Sequence, residues 1–114
     1  MKDDKLDQLT CKAFFEVLDG FLLPAVCDLS RVSCEMNTWV VNRLNVPIKA
    51  RGQGVGRRLM KQLTTWADEN QQTLVLFINP SGPMNYEDLK NWYSRNDFED
   101  DDLFEMKRIP KEVR

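Results

Sequence analysis

The apolar and polar positions of the chain fall into patterns that predict most of its elements. The clearest begins at Val55, where Val55, Leu59, Met60, Leu63, Trp66 and Ala67 recur at helical spacing. That periodicity predicts one amphipathic helix reaching about Asn70. Ahead of it, residues 38–46 (TWVVNRLNV) are β-branched and aromatic, and read as a strand ending at Pro47, which has no N–H to extend a ladder. Behind it, residues 73–78 (TLVLFI) form a short, continuously apolar run, as expected of a strand covered on both faces. Strand, glycine-rich turn, helix and strand in this order predict a βαβ crossover in the middle of the chain.

The flanks are patterned more weakly. Residues 11–18 and 21–29 are apolar runs separated by Asp19-Gly20, a hairpin signal because both central residues tolerate positive φ. Pro24 places the second run at an edge or bulge, and a helix over 11–18 competes with the hairpin. Residues 31–36 read as a short strand or a turn. After Ile78, NPSGPMN is a loop by composition. Asn85 can cap a helix over 86–94, with Glu87 and Asp88 favourable in its first turn and its polar residues exposed between Leu89, Trp92 and Tyr93. Residues 103–109 (LFEMKRI) alternate and predict a final strand.

Composition narrows the chemistry. At 114 residues with 42% hydrophobic and 10% aromatic content, one folded domain is expected. No apolar run reaches the roughly 18–20 residues that cross a bilayer. The first twenty residues lack a basic start and an apolar secretory core, so the expected compartment is the cytoplasm. The chain has no histidine, which removes His-based triads and His metal ligands. Its three cysteines, Cys11, Cys27 and Cys34, have no CxxC spacing and read as reduced thiols, with no metal site expected. Net charge is −2, but from Met36 to Ala67 there is no acid, while Arg43, Lys49, Arg51, Arg57, Arg58 and Lys61 all fall there. Residues 97–102 (DFEDDD) carry five acids. The basic stretch has no interleaved stacking aromatics and the net charge is −2, so nucleic acid is not expected as a partner, and without a spanning apolar run neither is a membrane.

The candidate chemistry lies in Arg51-Gly52-Gln53-Gly54-Val55-Gly56-Arg57-Arg58, which holds three of the five glycines at a strand-to-helix turn. Backbone N–H groups can turn toward a ligand there, and the helix N-terminus adds free donors and partial positive charge, so a phosphate or pyrophosphate is the natural guest. Arg51, Arg57 and Arg58 can add charge-assisted contacts. A P-loop would need GxxxxGK[ST], which is absent. A Rossmann fingerprint would need GxGxxG with an acid about 20 residues on, but the spacing here is GxGxG and the next strand ends at Asn79. The pattern that fits is [R/Q]xxGx[G/A], on Arg51, Gly54 and Gly56. A tight turn holding no ligand is the plainer alternative.

LNVPIKARGQGVGRRLMKQL resembles the acetyl-CoA motif of the GNAT-type N-acetyltransferases. LKNWYSRNDFE is similar to that family's [F/Y]Yxxx[G]F block, with Trp92 and Tyr93 as the aromatic pair, Phe98 as the closing Phe and Asp97 where the family usually has Gly. The resemblance covers residues 38–109, and the YxxNDFE-like ending is similar to that of some small phage-encoded acetyltransferases. It implies a mixed α/β (α+β) fold in one domain over 1–114, with N-terminal strands or helix over 1–36 and an acetyl-CoA-binding core over 38–109. The sheet would be mixed but mostly antiparallel around the central crossover. It also implies acetyl-CoA as cosubstrate, a pyrophosphate loop of Arg51, Gly52, Gln53, Gly54, Val55, Gly56 and Arg57, and pantetheine or acetyl contacts from Leu44 and Val46. Asn85 completes the candidate cofactor set. The reaction would be direct attack of a primary amine on the thioester. The Val46 N–H would polarise the carbonyl and Tyr93 would act as general acid. No general base is assignable. The acceptor would be a small amine, a protein lysine or an N-terminus, with a cationic acceptor favoured if the acidic run flanks its mouth. A homodimer is compatible with this reading. The alternative is a GNAT-fold module that binds CoA or a protein partner without catalysis.

Overall fold

A computed structural model describes residues 10–17, 24–32, 35–46, 53–79, 84–102 and 105–112. In chain order the elements are β1 (Cys11–Glu16), β2 (Ala25–Arg31), β3 (Thr38–Asn45), α1 (Val55–Glu69), β4 (Thr73–Phe77), α2 (Tyr86–Ser94), β5 (Glu99–Asp102) and β6 (Glu105–Arg108). They form a six-stranded sheet in the order β1-β2-β3-β4-β6-β5. Only β3 and β4 run parallel; every other neighbouring pair is antiparallel. The central crossover is the one the residue pattern predicts, and the mixed, mostly antiparallel sheet is the one the family resemblance implies.

The crossover follows from α1. Val55, Leu59, Met60, Leu63, Trp66 and Ala67 are its buried residues, one stripe at helical spacing, and they join Ala25, Cys27, Leu29, Trp39, Leu74, Leu76 and Met106 in a single core. Each fully buried leucine contributes roughly 1.5–3 kcal/mol. Trp66 meets Trp39 edge-on at 5.4 Å and Phe14 at 6.0 Å, so three aromatic rings fix the helix against β1 and β3. β1 is a strand, so the hairpin arm prevails over the competing helix; its alternation puts Lys12, Phe14 and Glu16 toward α1. Asp19-Gly20, Cys34 and Pro47 lie outside the described residues. Residues 35–37 form a turn, and β2 already ends at Arg31.

Two polar contacts lock the base of the crossover. The Trp39 indole N–H donates to Gln72 Oε1 at 2.9 Å, both side chains being buried, and the Thr73 N–H donates to the Asn37 carbonyl at 2.7 Å. Arg108, 2% exposed, donates to both carboxylate oxygens of Asp68 at 2.8 and 3.0 Å. Its Nε donates to the Asn96 carbonyl at 3.1 Å, so one guanidinium joins α1, β6 and the turn after α2.

α2 matches its expected bounds, and Asn85 Oδ1 accepts from the Asp88 N–H at 2.8 Å as its N-cap. The acidic run departs from expectation, because residues 99–102 form β5, an edge strand paired with β6. The expected strand over 103–109 is correspondingly β6, with Leu103 outside the described residues.

The Asp68–Arg108 pair sets a prediction. Burial alone would raise the Asp68 carboxyl, but the Arg108 hydrogen bond and charge and the Lys111 N–H hold it below its ordinary 3.8. Its stabilising effect is therefore complete above that value and is lost as pH falls through the depressed folded-state pKa. Asp68→Asn is expected to cost about 2–3 kcal/mol at neutral pH in urea unfolding, with the gap from wild type closing in acid.

Candidate functional site

The site begins with the way α1 starts. Gly54 is the N-cap at φ 77°, in the left-handed region that glycine enters without strain, and no side chain caps the helix. The first intrahelical bond runs from the Arg58 N–H to the Gly54 carbonyl at 3.1 Å. The N–H groups of Val55, Gly56 and Arg57 therefore have no intrahelical acceptor, and the first turn holds no acid. Arg58 folds back, donating to the Gln53 carbonyl at 3.2 Å and pairing with Glu16 at 2.8 Å. Arg57 is exposed and has no ion-pair partner among the described residues. Free donors, a helix N-terminus and an arginine together make a seat for an anion.

That seat faces an opening in the sheet. β3 and β4 pair only at Thr38↔Thr73, Trp39↔Leu74 and Val40↔Val75. Beyond Val40, β3 continues along β2 to Val26↔Asn45, while β4 continues along β6 to Phe77↔Glu105. The register shift between Asp28 and Leu29 leaves Asn42 as the extra residue of a bulge, which bends β3 where the strands part. The opening thus lies at the carboxyl ends of the two parallel strands, where open α/β sheets bind ligands.

Three elements meet at this opening. A Cβ on Gly56 would lie 3.8 Å from Trp92 Cζ2 and 3.9 Å from Val46 Cγ2, so the first turn of α1, the end of β3 and α2 are in contact range. Tyr93 packs against Trp92 at 5.2 Å and edge-on against Phe98 at 5.7 Å. Its phenol is raised above the ordinary 10.0, chiefly by burial and then by the charge of Cys27. Cys27 lies in β2 opposite Leu44, and burial, with the charge of Asp28, pushes its thiol up to about 12. Tyr93 therefore keeps its proton and shares the electrostatic neighbourhood of the Cys27–Leu44 pair.

Leu44, Val46, Gln53, Gly54, Val55, Gly56 and Arg57 are thus distributed along the opening and the α1 start, while Arg51 and Gly52 lie outside the described residues. Asn85 is exposed, and its carbonyl oxygen is engaged in the helix cap. The acidic run does not follow Tyr93 to the opening, because β4 and β6 intervene between β5 and the gap. Sequence reasoning missed the Asn42 bulge and the nearness of Cys27 to Tyr93. The bulge had no local signal, and Cys27 reads simply as a packed thiol.

The fold matches that of several solved acetyltransferases. The PaiA N-acetyltransferase from Thermoplasma acidophilum, solved in complex with coenzyme A, matches with a TM-score of 0.69 at 14% identity, over 92% of this chain and 64% of that one. An acetyltransferase of the GNAT family from Staphylococcus aureus matches with a TM-score of 0.65 at 16% identity, over 90% and 69%. The chain has the GNAT acetyltransferase fold. The anti-CRISPR protein AcrVA5 also matches, with a TM-score of 0.61 at 24% identity, over 83% of this chain and 96% of its own length. This chain thus spans just under two thirds of the Thermoplasma enzyme but matches nearly all of AcrVA5. No protein-family model and no curated protein matches the sequence.

In this GNAT fold the glycines are not equivalent. Gly54→Ala is expected to cost about 1–2 kcal/mol because it forces alanine into the left-handed region. Gly56 has no such φ and its added methyl meets only ordinary contacts, so Gly56→Ala is expected to leave the melting temperature unchanged or raised. Asp97 adopts φ 71°, and Asp97→Gly is expected to gain about 0.5–1 kcal/mol, offset little by its exposed pair with Lys111. Thermal melts of the three variants check these values.

Proposed function

We propose that the chain is an acetyl-CoA-dependent N-acyltransferase that moves an acetyl group to a primary amine. The observation that carries this reading is the uncapped, acid-free start of α1 directly beside the β3–β4 opening, with Tyr93 alongside. The amides of Val55, Gly56 and Arg57 would hold the pyrophosphate, aided by the Arg57 guanidinium and by Gln53 and Gly54, which shape the turn. Arg51 and Gly52 would extend that loop. Leu44 and Val46 would border the pantetheine arm in the opening. The coenzyme A bound to the Thermoplasma relative supports this choice of cosubstrate.

The bound thioester supplies an acyl group already activated for transfer. In the transfer the amine nitrogen bonds to the acyl carbon, the carbon–sulphur bond breaks, and the amine loses a proton to solvent. Tyr93 would return a proton to the departing sulphur. A free thiol titrates near pKa 8.5 and a phenol near 10, close enough for transfer as the bond breaks. Burial raises the Tyr93 phenol above its ordinary 10.0, so it carries its proton at neutral pH. β3 carries no carboxylate to serve as a base, so no general base is assigned, and a water chain or an amine arriving already neutral would serve. That absence favours the second reading, a CoA-binding module without turnover.

Acetyl-CoA is expected to raise the melting temperature, and wild type is expected to release free CoA thiol with a lysine peptide or a polyamine. Tyr93→Phe is expected to bind acetyl-CoA equally but turn over about 10²-fold more slowly. Because the phenol is raised, any Tyr93-dependent decline in wild-type turnover should have its midpoint above pH 10.0. Binding with no thiol release from either protein would identify the module. Absence of any thermal shift would remove the CoA reading.

A further inference from the structure

The two edges of the sheet have opposite character. β5 presents four acids, and its register against β6 shifts between Asp100 and Asp102, so charge and irregularity block a further strand. β1 (CKAFFE) has neither defence. It pairs with β2 in unbroken register from Cys11↔Ser30 to Glu16↔Ala25, contains no proline, and its one lysine and one glutamate cancel. Among the described residues no strand lies on its outer side. Phe15 is 54% exposed, and Val17, immediately after the strand, is 87% exposed.

The backbone phase of this edge is defined. The Thr10 carbonyl accepts from the Arg31 N–H at 2.9 Å, so Thr10 turns toward β2. By alternation Lys12, Phe14 and Glu16 do likewise, and the N–H and C=O groups of Cys11, Ala13 and Phe15 point outward. An antiparallel strand added here must set outward groups against outward groups, which restricts self-pairing to a few registers.

We propose that β1 pairs antiparallel with β1 of a second copy of this chain, about a two-fold axis at Phe14, joining two sheets into one. In that register Lys12 stands opposite Glu16 of the second copy, and the reverse, so both charge pairs form on the α1 side. Glu16 is already positioned there by Arg58 at 2.8 Å, and Lys12 lies 5.4 Å from the Phe14 ring centre. On the other face Phe15 covers Ala13 of the second copy, an aromatic–aliphatic cross-strand contact. An axis at Ala13 would instead set Lys12 against Phe14, and one at Phe15 would set Glu16 against Phe14, losing both charge pairs. β2 and β3 separate β1 from the ligand opening, so both openings of the dimer stay accessible.

The same register places Cys11, exposed and reduced, opposite Val17. Hydrogen-bonded antiparallel pairs have Cα atoms about 5.5 Å apart, inside the range a disulfide spans. Full-length Val17→Cys is expected to form a covalent dimer under mild oxidation, lost when Cys11→Ser is added. Sedimentation of wild type at high micromolar concentration is expected to give twice the 13.4 kDa chain mass. Ala13→Pro removes only an outward-facing N–H, tolerated on an edge strand of the monomer, and is expected to return the mass to that of one chain. Phe15→Glu is expected to do the same, with circular dichroism confirming the fold of both. A wild-type monomer overturns the proposal. So does a dimer that survives both substitutions, or one in which the Val17→Cys cross-link fails or forms without Cys11.

Discussion

Three residue pairs between β3 and β4 are the constraint on which the rest of the molecule depends. Their lower end is pinned by Trp39 donating to buried Gln72 and by Thr73 donating to Asn37. Their upper end is released, because the Asn42 bulge holds β3 to β2 while β4 turns to β6. A longer parallel seam would pair those backbone groups with each other and close the sheet. A shorter one would leave the base of the crossover unsupported. The length of the seam therefore decides that an opening exists, and the connection from β3 into α1 brings the helix N-terminus to its mouth.

The side chains at that mouth are held from a distance. Tyr93 sits near the end of α2, a helix with no fully buried residue of its own. Its placement relies on Phe98, which is buried, and on the turn after α2, where the Asn96 and Phe98 N–H groups return to the Tyr93 carbonyl. That turn is gripped by Arg108, whose other donors are spent on Asp68 of α1. A buried ion pair thus couples α1, whose start is the proposed anion site, to the turn that positions Tyr93. Removing one partner would leave a charge without compensation in the core, which is why such pairs specify geometry as well as stability.

Charge along the chain acquires its meaning only from topology. The acid-free stretch from Met36 to Ala67 includes the start of α1, where absence of carboxylates leaves the positive end of the helix uncompensated. The run of acids at 99–102 lies on the far edge, two strands from the gap, where it blunts an exposed ladder. The opposite edge, neutral and aromatic, has no such protection.

Much of the fold was legible in local pattern. The helix from Val55, the helix over 86–94 with its Asn85 cap, and the strands at 38 and 73 are written in side-chain periodicity, capping residues and glycine placement. These are effects of neighbours within one or two turns, and composition excluded imidazole chemistry outright. What the tertiary structure alone decided are relations across long separations. Trp39 meets Gln72 and Asp68 meets Arg108, 33 and 40 residues apart. Val46 and Trp92 close on Gly56, Cys27 comes within electrostatic reach of Tyr93, and an all-acid segment becomes a strand. No short-range pattern encodes these, because each depends on how the whole core packs and on which backbone groups remain to be paired once it has.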